Sequence, residues 1–179
     1  MEWKAFDLRP DTPPEGIPRY DKPGEHRIGA LVDGHLGEMA QEAGLVMKRA
    51  PITAYTRPAM EAAEYAKSQD KFDEFHLALF KAYWEDGKNL GDRGVLQEIA
   101  SQVGMNPEGL DQALREGHYA QIVEDQVEFA RQIGITGIPA FVIGRYLFMG
   151  AQSYDFFKVV MERALQDQTS AQAEAEQSP

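Results

Sequence analysis

Gly134-Ile135-Thr136-Gly137-Ile138-Pro139-Ala140-Phe141-Val142-Ile143-Gly144-Arg145-Tyr146-Leu147-Phe148-Met149-Gly150-Ala151-Gln152 carries, in order, a helix end, an X-Pro turn, a hairpin and the approach to a second helix. Gly134 closes a long helical pattern and suits a left-handed terminus. Pro139 lacks an N–H and pushes Ile138 toward extended geometry. Phe141-Val142-Ile143 and Tyr146-Leu147-Phe148 are short β-formers around Gly144-Arg145. Glycine at the first position of a two-residue loop predicts a type II′ hairpin turn. Ser153 then stands where a helix N-cap belongs.

This order resembles the C-terminal half of a thioredoxin fold. More closely, it resembles the DsbA-type branch, in which Gly-Val-Thr-Gly-Val-Pro-x-Phe-Val-Ile leads to Ser-Gly-Ala-Gln-Pro. The resemblance implies that Pro139 is cis and that Ile138 presents its backbone to a bound peptide or thiol. Thr136, Gly137, Ile138 and Pro139 would then form the substrate-binding loop. An ordinary hairpin with an edge proline is the plainer alternative.

Near the other end, Trp3 to Leu8 alternates, with Trp3 and Ala5 on one side and Lys4 and Phe6 on the other. It predicts a strand, which the proline-rich Arg9 to Gly16 cannot continue. The run Phe6-Asp7-Leu8-Arg9-Pro10-Asp11-Thr12-Pro13-Pro14-Glu15-Gly16 resembles the Phe-x-Leu-x-Pro-x-x-Pro-Pro-Glu-Gly segment of the FrnE-like subgroup of the DsbA superfamily, where it belongs to the second strand. The resemblance reaches from there to about Leu165.

The middle of the chain reads as helices. Ile17 to Glu25 is an irregular loop. Ile28 to Ala43 has apolar residues at roughly helical spacing, weakened by Gly29, Gly34 and Gly37. Thr56 is a candidate N-cap and Pro58 sits in the first turn that follows. Lys71 to Glu85 carries a broad apolar stripe of Phe72, Phe75, Leu79, Phe80, Tyr83 and Trp84, as a core helix does. Asp92 caps a helix faced by Val95, Leu96, Ile99, Ala100 and Val103. Pro107 opens a short one, and His118 to Ile133 leads to the Gly137-Ile138-Pro139 turn. Ser153 to Leu165 is amphipathic, and the Gln/Ala/Glu/Ser-rich end has no apolar face and reads as disordered. No internal repeat appears.

The expected fold class is α/β: a thioredoxin-like sheet with a helical insertion, N-terminally truncated. Residues 1–16 and 117–168 would form the thioredoxin-like part, 17–116 the insertion and 169–179 a disordered tail. Short helices of this kind are marginal alone and need mutual packing.

With 179 residues, the chain can bury roughly 70% of its unfolded surface. Lys plus Arg total 18 and Asp plus Glu 29, so the net charge is 18 − 29 = −11, which disfavours nucleic-acid partners. No apolar run approaches the roughly 18 residues of a membrane span. Met1 to Phe6 is no signal peptide, so a cytoplasmic location is the expectation. Cysteine is absent from all 179 residues. No disulfide, thiolate nucleophile or Cys-x-x-Cys pair can come from this chain.

In the resembled family, a further strand lies between the Trp3–Leu8 and Phe141–Ile143 strands. It is followed by a helix bearing Cys-x-x-Cys at its N-terminus, where the dipole lowers the thiol pKa. A strand plus crossover helix takes roughly 30 residues, which do not fit ahead of Trp3. Either an upstream segment precedes Met1 in the natural protein, or the redox motif is lost. A sheet without its central strand leaves unpaired backbone groups at about 1–3 kcal/mol each when buried, against a total stability of roughly 5–15 kcal/mol. That favours the upstream segment, and predicts that the chain alone is marginal or forms a homo-oligomer.

Other chemistry is thinly represented. His35-x-x-Glu38 and Asp73-x-x-His76 have ligand-like spacing, but bundle metal sites need paired motifs, so no metal is expected. There is no phosphate loop. Ser153 could bind an anion at a helix start, as in the related kappa-class glutathione transferases and 2-hydroxychromene-2-carboxylate isomerases. Their acidic or Ser-Asp signature is replaced here by Ala151-Gln152-Ser153. Arg145, Tyr146 and Gln152 lie near the implied active-site edge, with structural roles expected.

The resemblance implies thiol–disulfide exchange, in which a low-pKa thiolate attacks a disulfide and a second cysteine resolves it. Partners would be a protein or small-molecule thiol or disulfide, with no cofactor. Without cysteine the chain as given has no catalytic residue. A glutathione-dependent isomerase or transferase, with glutathione as thiol source, and a non-catalytic peptide-binding module are the alternatives.

Overall fold

The computed structural model describes residues 1–176, which divide between two compact units, Met1–Val127 and Glu128 onward. In the first unit, β1 (Ile17–Pro18) pairs antiparallel with β2 (Ile52–Thr53), Ile17 opposite Thr53 and Pro18 opposite Ile52. Between them lies α1 (Gly34–Glu42). The predicted helix over Ile28–Ala43 is thus only its second half. Gly29 takes φ +77° and Leu31 forms a bridge to Lys48 instead, because backbone at positive φ cannot propagate a helix.

Four helices follow: α2 (Arg57–Ser68), α3 (Phe72–Trp84), α4 (Arg93–Gln102) and α5 (Pro107–Glu116). Ala59, Ala62 and Ala66 give α2 a buried face of small side chains. Phe75 and Leu79 of α3, Leu96 and Ile99 of α4, and Leu110 of α5 join the same core. Asp92 caps α4, accepting from the Gly94 N–H at 2.7 Å. Asn106 caps α5, accepting from the Glu108 and Gly109 N–H groups at 3.1 Å each. Gly109 is required by contact, since a Cβ there would stand 2.7 Å from the Tyr65 hydroxyl. Thr56 does not cap α2. Its backbone is already helical in ψ, at 0°, and N-capping needs extended geometry there.

The helix α6 (Ala120–Gln132) runs from the first unit into the second, with Val123 and Val127 fully buried. In the second unit β3 (Ala140–Ile143) and β4 (Tyr146–Met149) form an antiparallel hairpin, Phe141 opposite Phe148 and Ile143 opposite Tyr146. The chain then enters α7 (Tyr154–Glu176).

Two further expectations need correction. Trp3–Leu8 is not a strand. A strand exists only where a neighbour accepts its ladder bonds, and no described strand lies beside this segment. Side chains take up its backbone instead: Lys67 Nζ donates to the Trp3 carbonyl at 2.7 Å, and Gln126 Oε1 accepts from the Ala5 N–H at 2.6 Å. The disordered tail expected over 169–179 is helical as far as Glu176, and 177–179 lie outside the described residues. Ala, Glu and Gln are strong helix formers, so propensity extends α7 without an apolar face to pack. No helix among the described residues is long and apolar enough to cross a membrane.

Candidate functional site

The helix α6 stops because Gly134 adopts φ +84°, which lets the Gly134 N–H reach the Arg131 carbonyl at 3.0 Å and the Ile135 N–H reach Ala130 at 2.9 Å. Thr136, Gly137, Ile138 and Pro139 then form one surface loop, and the Ile138–Pro139 bond is cis. The loop is tied at both of its ends to the end of the hairpin. The Gly150 N–H donates to the Pro139 carbonyl at 2.8 Å, and the Thr136 hydroxyl lies 3.8 Å from Met149 Sδ. Between those ties, Ile138 is 54% exposed. Among the described residues nothing takes up its N–H or carbonyl.

The hairpin behind the loop is packed on one face only. Alternation places Phe141, Ile143, Tyr146 and Phe148 together. Phe141 meets Phe157 edge-on at 4.7 Å between centroids, and Phe148 meets Phe156 at 5.0 Å. Edge-to-face geometry of this kind adds to area burial. The opposite face, with Val142, Leu147 and Met149, is open. Gly144 opens the two-residue turn at φ +58° and Arg145 follows at negative φ, as a type II′ turn demands.

Gln152 and Ser153 are spent on structure. Gln152 Nε2 donates to the Met149 carbonyl at 3.1 Å, and the Ser153 hydroxyl accepts from the Phe156 N–H at 3.3 Å. Arg145 and Tyr146 both reach Asp167 on α7. Asp167 was not singled out from the sequence, which has no periodic or motif signal tying it to the turn. His35 and Glu38 lie on α1, and Asp73 and His76 on α3. Among the described residues no three metal-ligating side chains gather. The loop therefore offers an apolar side chain and free backbone groups but no nucleophile.

The family model of the DSBA-like thioredoxin domain matches residues 1–162. The uncharacterized protein YwbO of Bacillus subtilis (strain 168) is 27% identical over 171 residues, covering 94% of this chain and 82% of that protein. The crystal structure of the probable DsbA oxidoreductase SCO1869 from Streptomyces coelicolor superposes with a TM-score of 0.67 at 26% identity, over 73% of this chain. This chain covers 58% of SCO1869's length. A 2-hydroxychromene-2-carboxylate isomerase shares the fold, with a TM-score of 0.64 at 15% identity over 76% of this chain and 66% of the isomerase. With its thioredoxin-like architecture and this match across nearly the whole chain, the protein belongs to the DSBA-like thioredoxin domain family.

Proposed function

We propose that this chain is a protein of the thiol–disulfide oxidoreductase type that, lacking redox cysteines, binds its substrate without turning it over. The observation that carries this reading is Ile138: 54% exposed, with unpaired backbone groups, in a loop anchored at Pro139 and Thr136. Such a loop can pair with an extended segment through main-chain hydrogen bonds, while Ile138 supplies apolar contact. The substrate class is an extended polypeptide, or a small thiol or disulfide, held at Thr136, Gly137, Ile138 and Pro139. Exchange needs a thiolate to attack one sulfur of a disulfide and release the other as thiolate. None of the 179 residues is cysteine, so the attacking sulfur must come from elsewhere.

A glutathione-dependent isomerase or transferase is less well supported. Ser153, the residue best placed to meet a ligand carboxylate, already uses its hydroxyl to cap α7.

Titration of the 15N-labelled chain with an extended cysteine-free peptide tests the reading. Amide shifts centred on Thr136 to Ala140, abolished by Ile138→Asp, are expected; shifts confined to other regions would sink it. Insulin reduction by this chain should show no turnover, and measurable turnover would refute the claim that its role is binding alone.

A further inference from the structure

A second peptide-reading arrangement stands in the first unit, on α2, α3 and α6, and owes nothing to the Pro139 loop. Glu64 of α2 is only 9% exposed. Its Oε1 accepts from Lys67 Nζ at 2.6 Å and from Gln126 Nε2 at 3.0 Å. That single carboxylate oxygen orients two side chains on two different helices. Because the Gln126 amide nitrogen is committed to Glu64, its oxygen faces outward as an acceptor. Lys67 keeps two further protons to donate outward.

One donor and one acceptor are thus held side by side. They meet the Trp3 carbonyl at 2.7 Å and the Ala5 N–H at 2.6 Å. Residues i and i+2 of an extended chain turn their backbone groups to the same edge. The pair therefore meets an extended segment much as a neighbouring strand would. These bonds ignore the segment's sequence. Selection comes from the side chain of Trp3, whose ring lies 4.8 Å from His76 and 6.4 Å from Phe72. His76 continues the aromatic row to Phe80 at 4.9 Å. Even in place, Trp3 stays 43% exposed and Leu8 48%.

We propose that Lys67 and Gln126, set by the buried Glu64 and bordered by the Phe72–His76–Phe80 row, form a docking site for an extended peptide with an aromatic side chain. Residues Trp3 to Ala5 occupy that site in cis. The segment is an exchangeable strap, and a peptide of the same chemistry must displace it to bind.

A fluorescein-labelled peptide of sequence Met1–Leu8, followed by anisotropy, tests this on the full chain. Trp3→Ala should bind the peptide at least about tenfold tighter than the unaltered chain, because the tethered competitor has lost its anchor. Lys67→Met on the Trp3→Ala background should reverse that gain. A peptide with alanine in place of its tryptophan should bind at least about tenfold more weakly. Ala5→Pro, which deletes the N–H that Gln126 accepts, gives a second route to an opened site should Trp3→Ala fail to fold. Equal affinity for the unaltered chain and a folded opened variant would overturn the proposal. So would indifference to Lys67→Met, or the absence of peptide binding to either folded variant.

Discussion

The Tyr146 hydroxyl donates to Asp167 Oδ2 at 2.9 Å, fastening the first residue of β4 to α7 across 21 positions of sequence. Arg145 Nε reaches the same oxygen at 3.0 Å and lies over the Tyr146 ring. The half-buried hydroxyl and the exposed guanidinium share one acceptor, and they are not equivalent in energy. Tyr146→Phe should cost about 0.5–1.5 kcal/mol, the usual net worth of such a bond. Arg145→Ala should leave stability within error, because an exposed pair is screened by water and salt. Urea unfolding midpoints of the two variants, at low and high salt, provide the comparison.

A side chain at Gly144 is strained. Its φ of +58° is disfavoured for L-residues, and a Cβ would stand 3.3 Å from Ala164 Cβ. Gly144→Ala should destabilise by about 1–2 kcal/mol, and Gly144→Val by more, since the branched side chain must also displace Ala164. Thermal unfolding followed by circular dichroism measures both.

Glu64→Ala should unsettle the helical unit beyond its own position. It strips Lys67 Nζ and Gln126 Nε2 of their shared acceptor in a part-buried setting. A loss on the order of 1–3 kcal/mol is expected. Glu64→Gln, which keeps one acceptor oxygen, should lose less. A double-mutant cycle with Gln126→Ala isolates the coupling between α2 and α6.

His76 makes stability pH-dependent. It sits half-buried among Trp3, Phe72 and Phe80. Burial pushes its pKa below the usual 6.5, reinforced by Lys67 and opposed by Asp73. The folded state therefore holds the neutral ring, while the unfolded chain takes up a proton near pH 6.5. This contribution is fully present above the unfolded value and is lost as pH falls from there through the lower folded value. Urea unfolding between about pH 8 and about pH 5 should show a downward slope below about pH 6.5. His76→Phe should remove this part of the slope, and an unchanged slope in that variant would contradict the assignment.

Local chemistry was the legible part. Asp92 and Ser153 cap their helices, Gly144-Arg145 turns the hairpin, and the Phe75 and Leu79 positions of α3 are buried, because each follows from residues a few positions apart. The Thr136–Pro139 loop was equally visible as a turn. The extension of α7 to Glu176 rests on the helix propensity of Ala, Glu and Gln, which leaves no apolar periodicity to read.

By itself, the sequence determined three things: that no thiol or disulfide can arise from this chain, that most of its length is helical, and that a hairpin follows an X-Pro turn. Only the tertiary structure decided what Trp3–Ala5 does. Alternation predicts a strand, but strand geometry is a property of two partners. With none beside it, the segment took the partners that Glu64 had positioned, Lys67 and Gln126. Asp167 belongs to the same class: its acceptor oxygen matters only because folding brings Tyr146 to it. Periodicity, caps and turns are written in neighbouring residues, whereas a hydrogen-bond partner far along the chain exists only once packing has brought it close.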